Sequence, residues 1–97
     1  MIDLNDKDLA IVKKILKQTI PNTPVWAFGS RVTGGAGTFS DLDLVIVADK
    51  KIDWQQIEEL RDNFSSSNLP IMVDVLDWHA IDESFQKIIL HKYEVIQ

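Results

Sequence analysis

Between Asp6 and Ile20 the apolar residues Leu9, Val12, Ile15, Leu16 and Ile20 return at helical spacing, with Asn5 placed to cap the start and Lys13, Lys14 and Lys17 towards the end. This predicts a first helix, stopped by Pro21 and Pro24. Val25-Trp26-Ala27-Phe28 is a short β-favouring run bounded by Pro24 and Gly29. Asp41 to Val47 alternates and then turns wholly apolar, so both segments read as strands. Asp53 precedes Trp54, Ile57, Leu60 and Phe64, a helical pattern that Ser65-Ser66-Ser67-Asn68 terminates. Ile71 to Leu76 predicts a third strand. Asp82 opens a last helix carrying Phe85, Ile88 and Ile89, and Tyr93 to Ile96 fits a short edge strand. The order is helix, strand, a loop or short helix, strand, helix, strand, helix and strand. Strands this apolar are covered by helices on one or both faces, which gives an α+β (or α/β) fold.

Composition narrows the chemistry. Ninety-seven residues without an internal repeat or a dividing linker describe one domain, residues 1–97, so a catalytic site must lie on the core elements or at a border with another chain. The absence of cysteine removes thiolate metal sites, thiol nucleophiles and disulfides, and fits a reducing compartment. The acidic start lacks the features of a secretory signal, and the longest apolar run, Leu44 to Ala48, is far short of the roughly 18 residues of a membrane helix. The chain therefore reads as cytoplasmic. Fifteen acids against ten bases, a net charge of −5, argue against stand-alone nucleic-acid binding.

Against that background three acids stand out, because an unpaired carboxylate on a buried strand is costly. Asp41 and Asp43 lie two apart on one strand, hence on the same side with Cα atoms roughly 6–7 Å apart. If the third strand lies beside the second in register, Asp74 joins them. The repulsion within such a cluster, roughly 4 kcal/mol per contacting pair at an effective dielectric near 20, calls for a counter-charge. Oxygen-only donors on a sheet suit Mg²⁺ or Mn²⁺ with phosphates and water as further ligands. Singly, each acid also fits a strand-start or solvated residue. Gly29-Ser30 follows the first strand at a point where backbone N–H groups can face a phosphate, although a Gly-Ser dipeptide also fits a plain turn. Neither a P-loop ending nor a dinucleotide fingerprint is present.

Other conspicuous residues have simpler readings. Asp77 should point away from Asp74 and serve a helix approach or face solvent. Trp26, Trp54 and Trp78 fit core or rim positions, His79 and His91 the surface, and Ser65 to Ser67 a helix end.

Taken together, Gly29-Ser30-Arg31-Val32-Thr33-Gly34, then Ser40-Asp41-Leu42-Asp43-Leu44, then Val73-Asp74-Val75 resemble the minimal nucleotidyltransferases of the DNA polymerase β-like superfamily, over essentially the whole chain. The resemblance implies a single-domain nucleotidyltransferase fold with a small mixed β-sheet flanked by helices, ATP as substrate and two Mg²⁺ ions, with Mn²⁺ as a substitute. It assigns Gly29 and Ser30 to the β- and γ-phosphates, Asp41 and Asp43 to both metals, and Asp74 to the metal that activates the acceptor hydroxyl and to its proton. Arg31 would contact phosphate or make a structural ion pair. Thr33 stands where that branch often has a second basic residue. The loop Gly34 to Thr38 reads as a plain connector or as a segment that nucleotide orders. Such proteins resemble antitoxins paired with a helical HEPN-type toxin from a neighbouring gene, and some adenylylate a toxin tyrosine, so a heteromeric complex with no membrane is implied. The alternative is a non-catalytic binding module that neutralises its partner by contact, with a vestigial metal site.

Overall fold

The computed structural model describes residues 2–97. Helix α1 spans Asp6–Thr19, β1 Val25–Phe28, α2 Ser30–Thr33, β2 Leu42–Ile46, α3 Trp54–Ser65, β3 Val73–Asp77, α4 Glu83–His91 and β4 Glu94–Val95, with a 3₁₀ turn at Trp78–Ala80. The predicted caps are in place. The Asn5, Asp53 and Asp82 side chains accept from the backbone N–H groups of Asp8, Gln55 and Phe85 at 2.8, 3.0 and 2.8 Å, satisfying donors that a helix start leaves open.

The four strands form one mixed sheet in the order β3-β2-β1-β4. Strand β1 is antiparallel to β2 and to β4, whereas β2 and β3 run parallel. Helices α1 and α3 cover one face through Val12, Leu16, Leu60 and Phe64, packed on Ala27, Leu44 and Val75. The opposite face is more thinly covered. There Ile89 of α4 meets Phe28 and Val45, flanked by Trp26, Leu76 and Trp78. Trp26 stacks on Tyr93 with ring centroids 4.0 Å apart and meets Trp78 edge-on at 5.6 Å, the offset geometries aromatic pairs favour.

Three local differences from the sequence reading have physical causes. Strand β2 begins at Leu42, so Asp41 lies just outside the ladder. Strand β3 covers Val73–Asp77 rather than 71–76, because its pairing starts where Val73 meets Leu42 and extends to Asp77 beside Ile46. Trp54 is 69% exposed and belongs to neither core nor rim. Three-residue steps along a helix drift by roughly 60° each, which turns Trp54 about 120° away from the stripe that Leu60 and Phe64 bury.

Asp77 takes up the helix-approach role and is buried. Its carboxylate accepts from His79 N–H at 3.0 Å and from Ile52 N–H at 3.1 Å, closing the 3₁₀ turn and tying the entry of α3 to β3. His79 and His91 are both exposed, as expected, and the His79 ring is 2.6 Å from the Ala48 carbonyl.

Candidate active site

At the end of β1 the chain must leave the sheet beside a carboxylate. Phe28 pairs with Asp43 across the β1–β2 ladder, and Gly29 follows with φ +79°, a left-handed conformation that L side chains rarely adopt. The space explains the residue as well. A Cβ on Gly29 would run into the Oδ2 atom of Asp43 and lie 3.2 Å from its Cγ. Gly29 is therefore the wall against which the Asp43 carboxylate rests.

Helix α2 starts at the next residue. Its N-cap position is Gly29, no side chain caps it, and the Gly29 carbonyl accepts from Val32 N–H and Thr33 N–H at 3.0 and 2.9 Å. Thr33 adds its hydroxyl to the same carbonyl at 3.1 Å, so this residue secures the turn.

The parallel register sets Asp43 directly beside Asp74. Asp43 is half-buried, while Asp41 and Asp74 are exposed. Burial first, then the charges of Asp74 and Asp41, push the Asp43 carboxyl above its ordinary proton affinity. The three predicted acids thus share one electrostatic neighbourhood. They do not close into a ring: among the described residues no three His, Cys, Asp or Glu side chains converge tightly enough to hold one ion between them. Like charges on neighbouring strands favour rotamers that part.

Arg31 is held by backbone carbonyls. It is 6% exposed, and its guanidinium donates to four carbonyls: Nε to Ser40 at 2.9 Å, Nη1 to Asp3 at 2.7 Å, and Nη2 to Thr38 at 3.1 Å and Gly37 at 3.4 Å. These bonds also take the place of the structural ion pair that was the other reading, since carbonyl oxygens rather than a carboxylate receive the N–H groups. The loop between Gly34 and Ser40 is accordingly anchored. Gly37 N–H donates to the Ser40 hydroxyl at 2.8 Å, and Ser40 N–H returns to the Gly37 carbonyl at 3.2 Å.

A cleft of about 360 Å³ opens beside Gly29 and Ser30, walled by Phe28, Thr33, Ile88 and Lys92. Sequence patterning singled out neither Ile88 nor Lys92 for this place. Both sit on or just after α4, and only the way that helix crosses the sheet brings them to Ser30. Ile88 is 69% exposed, which a periodicity count assigns to the core side of a helix without showing that the core stops short of it.

The polymerase beta nucleotidyltransferase family model matches residues 10–97, most of the chain and all of the motifs described above. The chain belongs to this nucleotidyltransferase family. Over 96 residues, 99% of the chain and 84% of the relative, this nucleotidyltransferase is 48% identical to a Haemophilus influenzae protein described as a probable protein adenylyltransferase MntA. Its fold superposes with a TM-score of 0.75 on a chain from a toxin–antitoxin crystal structure with AMP-PNP, at 23% identity, covering 97% of this chain and 73% of that one. A structure of a tri-AMPylated Shewanella oneidensis HEPN toxin in complex with MNT antitoxin gives a TM-score of 0.62 at 17% identity, covering 97% of this chain and 72% of that one. These two likenesses establish the nucleotidyltransferase fold.

Proposed function

We propose that this nucleotidyltransferase transfers AMP from ATP to a hydroxyl, a tyrosine of a HEPN-type partner, and acts as the antitoxin of the pair. The observation that carries this reading is the Asp43 carboxylate resting against Gly29, which lines an open cleft, with Asp74 beside it in register, in a chain 48% identical to a protein described as a probable protein adenylyltransferase. In this reading residues 1–97 form one nucleotidyltransferase domain, and the partner presents the acceptor hydroxyl. The reaction belongs in the cytoplasm, where ATP and a reducing environment coexist.

The donor set suits Mg²⁺. Every candidate ligand is an oxygen, and a carboxyl such as that of Asp43, its proton affinity raised by burial and then by Asp74 and Asp41, gains from a bound cation. In this reading Asp41, Asp43 and Asp74 hold the ions, with Mn²⁺ able to replace Mg²⁺. Bound divalent ions neutralise phosphate charge and lower the proton affinity of the attacking hydroxyl. The chain's own groups do the rest. Gly29 and Ser30 receive the β- and γ-phosphates at the turn into α2, where the missing Cβ of Gly29 makes room for the Asp43 carboxylate beside them. Lys92 brings to the same cleft a cation that Thr33 does not supply. The acceptor oxygen attacks the α-phosphorus, its bond to phosphorus forms as the bond to the β-phosphate oxygen breaks, pyrophosphate leaves, and Asp74 takes the hydroxyl proton. Holding the triphosphate and the acceptor in line is the main contribution such a site makes to phosphoryl-type transfer.

The test mixes the protein with ATP, Mg²⁺ and the product of the neighbouring gene and records intact masses. One or more adenylyl additions on the partner are expected, lost in Asp41→Asn. If the partner is neutralised without any mass change, and equally by Asp41→Asn, the protein works by contact and the enzymatic reading is wrong.

Binding is separable from transfer. Saturation at 100 times Kd adds about 2.7 kcal/mol to the folded state. For a domain of this size that corresponds to a rise in melting temperature on the order of 10 °C. ATP with Mg²⁺ should produce such a shift, and Asp74→Asn should shrink it by more than half. A melting curve indifferent to both ligands at millimolar concentration contradicts a nucleotide site here.

A further inference from the structure

We infer that Arg31 is a positioning residue, the strut that fixes Asp41 relative to Gly29-Ser30, and that it does not bind the nucleotide. The inference rests on the reading of Asp41 given above and adds a role that the motif alone does not reveal.

The argument begins from a spacing. Ten residues, 31–40, separate Ser30 from Asp41, and they include Gly34, Gly35 and Gly37. Gly34 and Gly35 have φ values of +105° and +84°, and a Cβ on either would meet nothing within 4 Å. These glycines are open to solvent and pack against nothing, so local packing at these positions does little to fix the connection. Asp41 itself is outside the β2 ladder and exposed. Beyond the Gly37–Ser40 bonds within the loop, one side chain ties its far end back to α2. Arg31, the residue after Ser30, reaches across to the carbonyl of Ser40, the residue before Asp41, while its other arm takes the carbonyls of Gly37 and Thr38. The remaining contact, to the Asp3 carbonyl, is reciprocated, since Asp3 N–H donates to the Arg31 carbonyl at 2.6 Å. One planar fork therefore ties the two halves of the motif to each other and to the chain's N-terminal segment.

A phosphate role is incompatible with this arrangement. The guanidinium is buried, and turning it towards the cleft would leave carbonyls of four residues without their donor. Lysine cannot replace it, because a single ammonium lacks the fixed fork that reaches Ser40 and Asp3 together.

The experiment uses Arg31→Lys, alone and combined with Asp41→Asn, with Ser40→Ala as a milder second variant that keeps Arg31 but removes the hydroxyl closing the loop. Three readouts are taken: kcat and KM for ATP in partner adenylylation, Mn²⁺ affinity of the free protein by paramagnetic resonance, and solvent exchange of the Arg31 Nε–H by NMR. A neighbour that only orients a metal ligand is typically worth about 10–100-fold in affinity or rate. Arg31→Lys should lower kcat and Mn²⁺ affinity within that range, leave KM for ATP within about twofold, and add nothing in the Asp41→Asn background. Ser40→Ala should shift the same quantities in the same direction by less. The Arg31 Nε–H should exchange slowly in the wild type. A tenfold rise in KM for ATP with kcat kept, a rapidly exchanging Nε–H, or an Arg31→Lys effect that persists in full without Asp41 overturns the inference. If Arg31→Lys does not fold, Ser40→Ala and the wild-type Nε–H decide it. A wild type that binds Mn²⁺ but adenylylates nothing defeats the transfer reading alone, because the metal and exchange readouts still report on Arg31.

Discussion

Asp43→Asn is expected to lower adenylyl transfer by about three orders of magnitude or more while raising the melting temperature of the ligand-free protein. The activity estimate follows from comparison: if groups that merely orient a ligand cost about 10–100-fold, removing the half-buried central carboxylate costs more. The stability effect has the opposite sign for an electrostatic reason. Burial, Asp74 and Asp41 raise the Asp43 carboxyl in the folded protein above its ordinary value of 3.8. The folded state therefore holds that proton more tightly than the unfolded chain does. The corresponding stabilisation is complete below 3.8 and is lost as pH rises through the raised folded value. At neutral pH the wild type carries a charge that its surroundings oppose, and asparagine keeps the shape without the charge. Thermal melts of the two proteins across the acid range should converge as pH falls. A variant that retains activity within tenfold, or that melts lower than wild type at neutral pH, contradicts the role given to Asp43.

Gly29→Ala should be nearly as damaging to activity and, unlike Asp43→Asn, should also destabilise. The added methyl meets Asp43 Oδ2, and the backbone at φ +79° is one an alanine adopts only under strain. Such conformations cost on the order of 1–3 kcal/mol. Relief requires either the carboxylate or the turn to move, and each motion separates Asp43 from the Gly29-Ser30 backbone. A hundredfold or greater fall in kcat with a clearly lower melting temperature is expected. The double variant Gly29→Ala/Asp43→Asn should recover little stability, since the amide occupies the same space. Wild-type-like activity of Gly29→Ala would mean that the contact between these two residues is incidental.

The sequence made part of this site legible and hid the rest for identifiable reasons. The Gly-Ser and Asp-x-Asp segments stand out because each breaks the local pattern of an apolar strand. That Asp43 meets Asp74 depends on a pairing between distant strands, which residue types permit without dictating; here the parallel register makes them direct neighbours. Alternation carries the strand pattern through Asp41, yet the ladder starts one residue later, where β3 first offers a partner. Arg31 could not be placed at all from its neighbours in sequence. Its bonds go to backbone carbonyls, and every residue type carries one, so no side-chain pattern announces them. Lys92 escaped notice because helix-end lysines are ordinary, and only the packing of α4 gives this one a place beside Ser30.

The parallel pairing of β2 with β3 has a consequence for how the protein reaches its native state. Gly29 follows Phe28, the partner of Asp43 in an antiparallel pair formed by consecutive strands, so its contact with Asp43 is relatively local. Asp74 arrives only after α3 has been laid across the sheet, in a crossover whose loop-closure entropy must be met before any pairing rewards it. That late step is also the one that drives two carboxylates together. The pairing of β2 with β3 is thus opposed by the very charges the site is built to concentrate, and protonation of Asp43 eases the assembly of the fold in a form that cannot hold a metal there.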